Sequence, residues 1–346
     1  MREVEAEVTT ILPQRRIGTT PVEVTEFGFG GTGLGNIYAV VSEDDALSTI
    51  RAALAAGIRY FDTAPLYGHG LSELRTGAAI RLARPERVTI STKVGWKLTP
   101  SRQDVVTPVG VFAEVPPLEC RPAYDYDDVM REVEDSLQRL GANKIDILFI
   151  HDVDHRNKGA DYRRTFDAAM KGAYRAITAL REEGVVKALG VGVNEWQPCQ
   201  EFAEAAPFDC FLLAGRYTLL EQESLDSFLP LCVQRKMSVI IGGPFNSGIL
   251  ATGPIEGATY DYKPAAQPIL ERVARIQAIC RAHGVPLAAA ALQFPLHHPA
   301  IAAIIPGGRH PDEIEANLRY YRHPIPAALW HELKDAKLLR QEAPTP

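Results

Sequence analysis

The sequence predicts a (β/α)8 barrel, an α/β fold in which eight parallel strands close into a ring and helices cover the outside. Two observations predict it. Eight short apolar runs rich in β-branched residues alternate with amphipathic helical patterns. Several of these runs are apolar on both faces, which is typical of strands in a covered parallel sheet. The runs cover residues 27–31, 59–64, 88–94, 145–151, 188–193, 210–214, 238–243 and 301–306.

The predicted helices have recognisable ends. Ser42, followed three residues later by Asp45, predicts an N-terminal cap, and Gly57 ends that helix before the next strand. Apolar residues at spacings of three and four form a stripe before Gly141, and a second stripe precedes Gly284. The recurring order of helix, glycine and strand favours one closed barrel over two smaller domains.

We expect a single domain over residues 1–346, because no Ser- or Gly-rich linker divides the chain. An N-terminal β-hairpin at about 15–26 precedes a barrel at about 27–322, and a C-terminal helix follows at about 326–341. The hairpin is placed to plug the N-terminal mouth of the barrel.

Three long connections follow predicted strands, at residues 95–126, 152–164 and 245–267. Loops in this position lie on the C-terminal face, where barrel enzymes build their sites. Their length predicts that they cover a substrate.

The composition argues against several classes of protein. The 346 residues include 37 Lys and Arg against 43 Asp and Glu, and a net charge of −6 does not favour nucleic-acid binding. The sequence has neither a run of about 18 apolar residues nor the apolar stretch of a secretion signal, so we expect a cytoplasmic protein without a membrane partner. The five cysteines have no CxxC spacing, and the histidines have no carboxylate or cysteine at ligand spacing. This pattern predicts reduced thiols and no metal site.

Four residues near the ends of adjacent predicted strands indicate proton transfer. Asp62, Lys93 and His151 come at the ends of the second, third and fourth runs, and Tyr67 follows Asp62. Each alone has an ordinary structural explanation, such as a helix cap or a hydrogen-bonded histidine, but the barrel brings all four to one rim. The Lys93 ammonium would lower the pKa of Tyr67 from about 10, and Asp62 would hold that ammonium in place.

Tyr67 would then exchange a proton with a carbonyl or hydroxyl oxygen, while His151 donates a hydrogen bond to the same oxygen. The four side chains include no electron carrier. The chemistry therefore implies hydride transfer with a bound nicotinamide.

The chain resembles the aldo-keto reductase family over nearly its whole length, from GFGGTGLG at residue 28 to PDEIEANL ending at residue 318. The segment GIRYFDTAPLYGHGLSE, residues 57–73, is similar to the signature of that family. The resemblance implies that Asp62, Tyr67, Lys93 and His151 are the catalytic tetrad.

The resemblance also implies a site for a nicotinamide dinucleotide. The loop GGPFNSGIL, residues 242–250, is similar to the loop that lies against the cofactor pyrophosphate. Tyr217 resembles the aromatic residue that stacks on the nicotinamide ring, and Asn194, followed by an atypical Glu195, takes the carboxamide position. The segment at residues 304–318 resembles the one that holds the adenosine half. The implied cofactor-binding residues are Asn194, Tyr217, Gly243, Pro244, Asn246, Gly248, Gly307, Gly308, Arg309 and Asn317.

One departure from the family concerns the choice of cofactor. Family members that prefer NADP often have an arginine at the position of Glu313. A carboxylate there would repel a 2′-phosphate, which favours NAD. Arg309 lies close in sequence, so NADP stays possible.

The segment GFGGTG, residues 28–33, fits the pattern GxGxxG. A Rossmann fold requires this motif to open a helix, whereas the next predicted helix begins only after Ser42. We therefore interpret the glycines as a tight first turn of the barrel, with a Rossmann fold as the alternative. Gly31 in this turn and Trp96, just after Lys93, are the predicted substrate-binding residues.

Within the family, the segments HDVD, VGVNEW and GGPFNSGIL resemble the bacterial sugar-dehydrogenase branch. The resemblance implies NAD(P)-dependent oxidation at the anomeric carbon of an aldose or similar cyclic hemiacetal, giving a lactone, with Tyr67 as general acid/base. Pyridoxal 4-dehydrogenase activity, a general NADPH-dependent aldehyde or ketone reductase, and a redox-sensing regulatory subunit are the alternatives. The implied partner is a small-molecule substrate, and the oligomeric state stays open.

Overall fold

The computed structural model describes residues 12–102 and 107–346, and its centre is a barrel of eight parallel strands. The strands are β1 (Gln14–Arg16), β2 (Glu23–Thr25), β3 (Phe29–Gly30), β4 (Tyr60–Asp62), β5 (Thr89–Val94), β6 (Trp96–Pro100), β7 (Leu118–Pro122), β8 (Ile145–His151), β9 (Val186–Val193), β10 (Cys210–Ala214), β11 (Ser238–Gly242), β12 (Thr259–Tyr260), β13 (Lys263–Pro264) and β14 (Ile301–Ile305). The barrel consists of β3, β4, β5, β8, β9, β10, β11 and β14, each paired in parallel with the next in that order.

The first and last barrel strands meet and close the ring. The Gly28 N–H donates to the Ile304 carbonyl at 2.9 Å, and the Gly30 N–H donates to the Pro306 carbonyl at 3.0 Å. A Cβ at Gly30 would lie 2.7 Å from the Ile305 carbonyl oxygen, so only glycine allows this approach. The predicted barrel is confirmed, and the Rossmann alternative is wrong because the glycines lead into a 3-10 turn at Gly31–Gly35.

The helices lie outside the barrel. They are α1 (Glu43–Ala55), α2 (Leu71–Ala83), α3 (Tyr126–Leu140), α4 (His155–Lys158), α5 (Tyr162–Lys171), α6 (Ala173–Glu182), α7 (Trp196–Ala205), α8 (Phe228–Arg235), α9 (Ile249–Thr252), α10 (Gln267–Ala282), α11 (Leu287–Gln293), α12 (Pro311–Tyr321) and α13 (Ala327–Asp335). The Ser42 side chain accepts a hydrogen bond from the Asp45 N–H at the start of α1, as predicted. Gly141 ends α3 in the left-handed conformation, with φ at 63°. In the part of the chain that the structure describes, we find no helix with the length and apolar character needed to span a membrane.

The N-terminal hairpin of β1 and β2 fills one end of the barrel. Ile17, Val22 and Val24 are buried in one cluster with side chains from inside the barrel, such as Phe149 and Leu212. The Gly18 N–H donates to Ser238 Oγ at the start of β11, so the hairpin covers the end where the strands begin. The loops that follow the barrel strands lie at the opposite end, where the strands finish.

The C-terminal helix is shorter than the expected 326–341. α13 ends at Asp335, and Lys337 has a φ of 56°, which interrupts the helical path. Beyond it, Leu338 and Leu339 are buried and continue the apolar packing without a helix.

Candidate active site

The structure brings the four predicted side chains of the tetrad to the rim where the barrel strands end. Asp62 is the last residue of β4, Lys93 lies near the end of β5, and His151 is the last residue of β8. Tyr67 lies in the loop between β4 and α2. Neighbouring parallel strands place these ends side by side, which is why residues 89 positions apart in sequence meet.

A buried ion pair lies at the base of this group. Lys93 Nζ is 2.6 Å from Asp62 Oδ2, and the two side chains are 1% and 2% exposed. Nζ also donates to the Thr63 carbonyl at 2.8 Å, and Ser91 Oγ donates to Asp62 Oδ1 at 2.7 Å. Burial is the largest single effect and acts to lower the pKa of Lys93, but Asp62 and Tyr67 together outweigh it and the pKa is raised. The amine therefore stays charged and fixed in place.

The Tyr67 ring lies against this ammonium. Lys93 Nζ is 4.5 Å from the centre of the ring, and the ring meets His151 edge to face at 5.8 Å. Burial raises the pKa of Tyr67, and Lys93 lowers it, but the net direction is upward. The expectation of a lowered pKa is therefore wrong in its net sign, because removing the hydroxyl from water has a larger effect than the ammonium. Tyr67 is a neutral phenol at pH 7.

His151 is a neutral imidazole. Burial, followed by the charges of Lys93 and Lys158, lowers its pKa well below the usual value for histidine. Its Nδ1 atom is buried and has no hydrogen-bond partner among the described residues. Its Nε2 atom lies 3.5 Å from Asp152 Oδ1. A neutral imidazole carries a single N–H, so this ring can donate one hydrogen bond.

The two predicted substrate-binding residues differ in their surroundings. Trp96 Nε1 donates to Asp152 Oδ2 at 3.0 Å, which fixes the indole beside His151. Gly31 is buried, and a Cβ there would lie 2.6 Å from the Asp62 carbonyl oxygen. Close packing against β4 thus explains this glycine without a substrate contact.

Two glycine-rich loops at the same rim suit an extended anionic ligand. Gly243, Asn246 and Gly248 follow β11 with positive φ angles, and a Cβ at Gly248 would meet nothing within 4 Å. Gly307 follows β14 and is exposed, next to the N-terminus of α12. Open backbone and a helix N-terminus are the features that accommodate a pyrophosphate. The residues present therefore fit the nicotinamide dinucleotide that the sequence implies.

Some of the implied cofactor residues have structural partners instead. Asn246 Oδ1 accepts from Thr218 Oγ1 at 2.6 Å, and its Nδ2 donates to the Gly215 carbonyl at 3.0 Å, so the amide ties the loop after β11 to the loop after β10. Pro244, Gly308 and Asn317 are also buried. These residues shape the loops, and they offer a ligand little side-chain surface.

Arg309 and Glu313 form the local structure at the start of α12. The Arg309 N–H donates to Glu313 Oε2 at 2.7 Å, so this carboxylate holds the residue that precedes the N-cap, His310. The guanidinium of Arg309 lies 4.0 Å from the other oxygen of this carboxylate and is partly exposed. Glu313 thus places a negative charge where the resemblance implies the adenosine half.

Tyr217 does not face the site, which corrects the stacking role implied for it. Its ring is fully buried and packs on Phe294 at 5.1 Å and on His298 at 5.5 Å. The Tyr217 ring is completely enclosed by protein, so neither of its faces is open to a ligand. Asn194 does lie at the rim, where its Oδ1 accepts from Tyr262 Oη at 3.4 Å.

Sequence reasoning missed a group of charged residues that ties the rim loops together. Asp261, between β12 and β13, pairs with Arg156 of α4 and, at 2.7 Å, with Arg216 after β10. The Arg156 guanidinium lies 4.9 Å from the ring centre of Tyr262. Asp261 lies 45 positions from Arg216 and 105 positions from Arg156, so no local pattern predicts these pairs. The length of the loop after β11 was the one signal in the sequence.

Comparison with known proteins agrees with this geometry. The chain is 41% identical to a pyridoxal 4-dehydrogenase of Microbacterium luteolum over 340 residues, covering 94% of this chain and 98% of the relative. It is 36% identical to a D-threo-aldose 1-dehydrogenase of a Pseudomonas species over 329 residues, covering 93% of this chain and 96% of the relative.

Solved structures share the fold. A glycerol dehydrogenase of Gluconobacter oxydans superposes with a TM-score of 0.73 at 22% identity, covering 96% of this chain and 97% of the other. The holo form of an aldo-keto reductase of Bacillus halodurans gives a TM-score of 0.71 at 23% identity, covering 95% and 97%. Residues 26–337 match the Aldo/keto reductase family. The chain belongs to the aldo/keto reductase family and is an NAD(P)-dependent oxidoreductase.

Proposed function

We propose that the protein oxidises cyclic hemiacetals, such as aldopyranoses, to lactones with NAD as the acceptor. The observation that carries the proposal is the buried Lys93–Asp62 pair beneath the Tyr67 ring, beside a neutral His151. The two relatives support the substrate class, because one is named for an aldose and the other for pyridoxal. Both compounds close to cyclic hemiacetals, pyridoxal through the hydroxymethyl group next to its aldehyde.

The protein side chains handle the proton and orient the substrate. His151 donates its single N–H to the oxygen on the reacting carbon and so fixes the direction in which that oxygen points. Tyr67 exchanges the hydroxyl proton of that oxygen, and Lys93 stabilises the phenolate form. Asp62 keeps Lys93 charged without competing for the substrate. The bound nicotinamide supplies the hydride acceptor.

The raised pKa of Tyr67 has a consequence for direction. A neutral phenol is ready to donate a proton, whereas oxidation of a hemiacetal needs the phenolate. We expect oxidation to be fastest at alkaline pH and reduction of a carbonyl to be fastest near neutral pH.

The choice of NAD rests on Glu313. Its carboxylate is held at the start of α12 by the Arg309 N–H, in the region where the family binds the adenosine ribose. A 2′-phosphate there would meet a negative charge, whereas a 2′-hydroxyl could donate to it. The partly exposed Arg309 side chain is the feature that would favour NADP.

A cofactor-by-substrate panel tests the proposal. We expect absorbance of the reduced nicotinamide to appear with L-fucose, D-arabinose or pyridoxal in the presence of NAD, and more slowly with NADP. Reduction of simple aldehydes by NADPH, with no oxidation of any hemiacetal, would support a general carbonyl reductase instead. Cofactor binding without turnover of any compound would support a regulatory subunit.

A further inference from the structure

Two carboxylates follow His151, and they have different surroundings. Both carboxylate oxygens of Asp154 accept hydrogen bonds. Oδ1 accepts from the Asn157 N–H at 2.8 Å, and Oδ2 accepts from the Asn194 N–H at 2.8 Å. Asp152 has one such bond, from Trp96 Nε1 to Oδ2 at 3.0 Å. Its other oxygen lies 3.5 Å from His151 Nε2, and its side chain is 10% exposed. A buried carboxylate oxygen held against an imidazole requires an explanation.

The backbone at Asp152 holds the carboxylate in this position. Asp152 has a φ of 58°, in the left-handed region, and its N–H donates to the Gly192 carbonyl at 2.9 Å. Asp and Asn are the non-glycine residues that adopt this conformation most readily. The residue therefore turns the chain immediately after β8 and leaves its side chain beside the ring of the preceding residue.

The position of this carboxylate decides which nitrogen of His151 carries the proton. Asp152 Oδ1 lies 3.5 Å from Nε2 without forming a hydrogen bond to it, so its negative charge attracts a proton to that nitrogen and leaves the N–H free to donate to a substrate oxygen. Nδ1 has no hydrogen-bond partner in residues 12–102 and 107–346 that would favour a proton on that atom. We propose that Asp152 is a positioning residue that holds His151 as the tautomer protonated on Nε2. The catalytic consequence rests on the proposed function, because this tautomer is the one that donates to the reacting oxygen.

The arrangement makes the tautomer depend on pH. Burial, and then the neighbouring Asp154, raise the pKa of Asp152 to about 7, against the opposing effect of Lys158. Below that pH Asp152 is neutral and no longer attracts a proton to Nε2, so the preference for that tautomer is lost. Above it the carboxylate restores the Nε2–H form. The other titratable or polar groups facing Asp152 are Lys93, Trp96, Cys120, Tyr124 and Tyr262.

The direct test is the tautomer of His151 in the protein without cofactor or substrate. Protein labelled with ¹⁵N-histidine is compared by NMR as wild type and as Asp152→Asn, and the His151 signals are assigned from the spectrum of His151→Gln. We expect the Nε2–H form in the wild type at pH 8 and a shift toward the Nδ1–H form in Asp152→Asn, because the uncharged amide no longer attracts a proton to Nε2. Asp128→Asn removes a carboxylate from α3 instead and should leave the spectrum of His151 unchanged.

Kinetics provide the second readout. With a hemiacetal that the wild type oxidises, Asp152→Asn should lower kcat roughly 100-fold and leave KM within about twofold, since the lost donor acts on the reacting oxygen. The limb of the wild-type pH profile near pH 7 should disappear in the variant. Asn tolerates the left-handed backbone, so an unchanged thermal transition shows that the fold is intact.

The outcomes separate this inference from the proposed function. An unchanged tautomer in Asp152→Asn overturns the inference, and so does a raised KM with an unchanged kcat, which would indicate that Asp152 binds a substrate hydroxyl. A shifted tautomer in a protein that oxidises none of the hemiacetals supports the structural role of Asp152 and contradicts the proposed function alone.

Discussion

Tyr67 is the residue on which the proposed chemistry depends, and its protonation reflects two opposing effects. Burial raises its pKa and the Lys93 ammonium lowers it, with burial the larger effect. In the proposed mechanism, Lys93 limits the cost of forming a phenolate in a site from which water is largely excluded. The Asp62 carboxylate is needed because an isolated ammonium would itself be unstable in this environment.

Replacing Tyr67 by Phe should remove turnover and leave the fold and the cofactor site intact. We expect the rate to fall by about 10²–10⁴-fold, the usual contribution of general acid–base catalysis. Quenching of tryptophan fluorescence by the dinucleotide should be unchanged. Tyr174→Phe, which removes the hydroxyl of a half-buried tyrosine in α6, is the matched control. Comparable turnover in Tyr67→Phe and the wild type would exclude Tyr67 from proton transfer.

Removing one member of the buried ion pair should destabilise the protein more than removing both. Lys93→Met leaves the Asp62 carboxylate buried without a counter-charge, at a cost of about 3–5 kcal/mol. The double variant Asp62→Asn/Lys93→Met should recover most of this loss in the free energy of unfolding, measured by urea denaturation. Additive losses in the double variant would show that the two charges are not coupled.

The first turn of α12 is the element that we expect to control cofactor choice. Glu313→Gln removes the charge and keeps the size of the side chain, so the ratio of kcat/KM for NADP to that for NAD should rise roughly tenfold, or about 1.4 kcal/mol. Glu315→Gln, exposed on the same helix, serves as control. If the ratio changes equally in both variants, Glu313 does not discriminate between the 2′-hydroxyl of NAD and the 2′-phosphate of NADP.

The hairpin of β12 and β13 is held over the rim by its ion pairs. Partial burial acts to raise the pKa of Asp261, but Arg216 and Arg156 outweigh it, and the pKa is lowered. The ion pairs are therefore complete above the usual pKa of an aspartate, about 4, and are lost only as the pH falls through the lowered value.

Asp261→Asn should loosen this hairpin at neutral pH without affecting the barrel. Amide hydrogen exchange in residues 259–264 and 155–158 should become faster, and exchange in β8 and β9 should not change. Glu256→Gln, exposed in the same loop, should leave exchange in both segments unchanged. Equal protection in Asp261→Asn and the wild type would mean that other contacts hold the hairpin in place.

At the scale of the whole molecule, regular patterns made the barrel predictable. The predicted runs 145–151 and 210–214 coincide with β8 and β10, because buried parallel strands are continuous apolar segments. The closeness of Asp62, Lys93 and His151 also followed from the fold, since the ends of successive parallel strands share one rim.

The features that sequence reasoning missed depend on three-dimensional surroundings. Tyr217 is buried against Phe294 and His298, which are distant in sequence, and no local pattern indicates these contacts. The net shift in the pKa of Tyr67 depends on how much protein surrounds the hydroxyl, and the contact between Asp152 and His151 depends on one left-handed backbone angle. The Asp261 ion pairs join loops that are far apart along the chain.

The most direct measurement follows a deuterium label from the substrate. An aldose deuterated at the anomeric carbon is incubated with the protein and NAD, and the reduced cofactor and the sugar product are analysed by mass spectrometry. We predict one deuterium in the reduced nicotinamide and an unlabelled lactone, formed in equal amounts, with both formed about 10²–10⁴-fold more slowly by Tyr67→Phe. A lactone that retains the label, or reduced cofactor without deuterium, would contradict hydride transfer from the anomeric carbon.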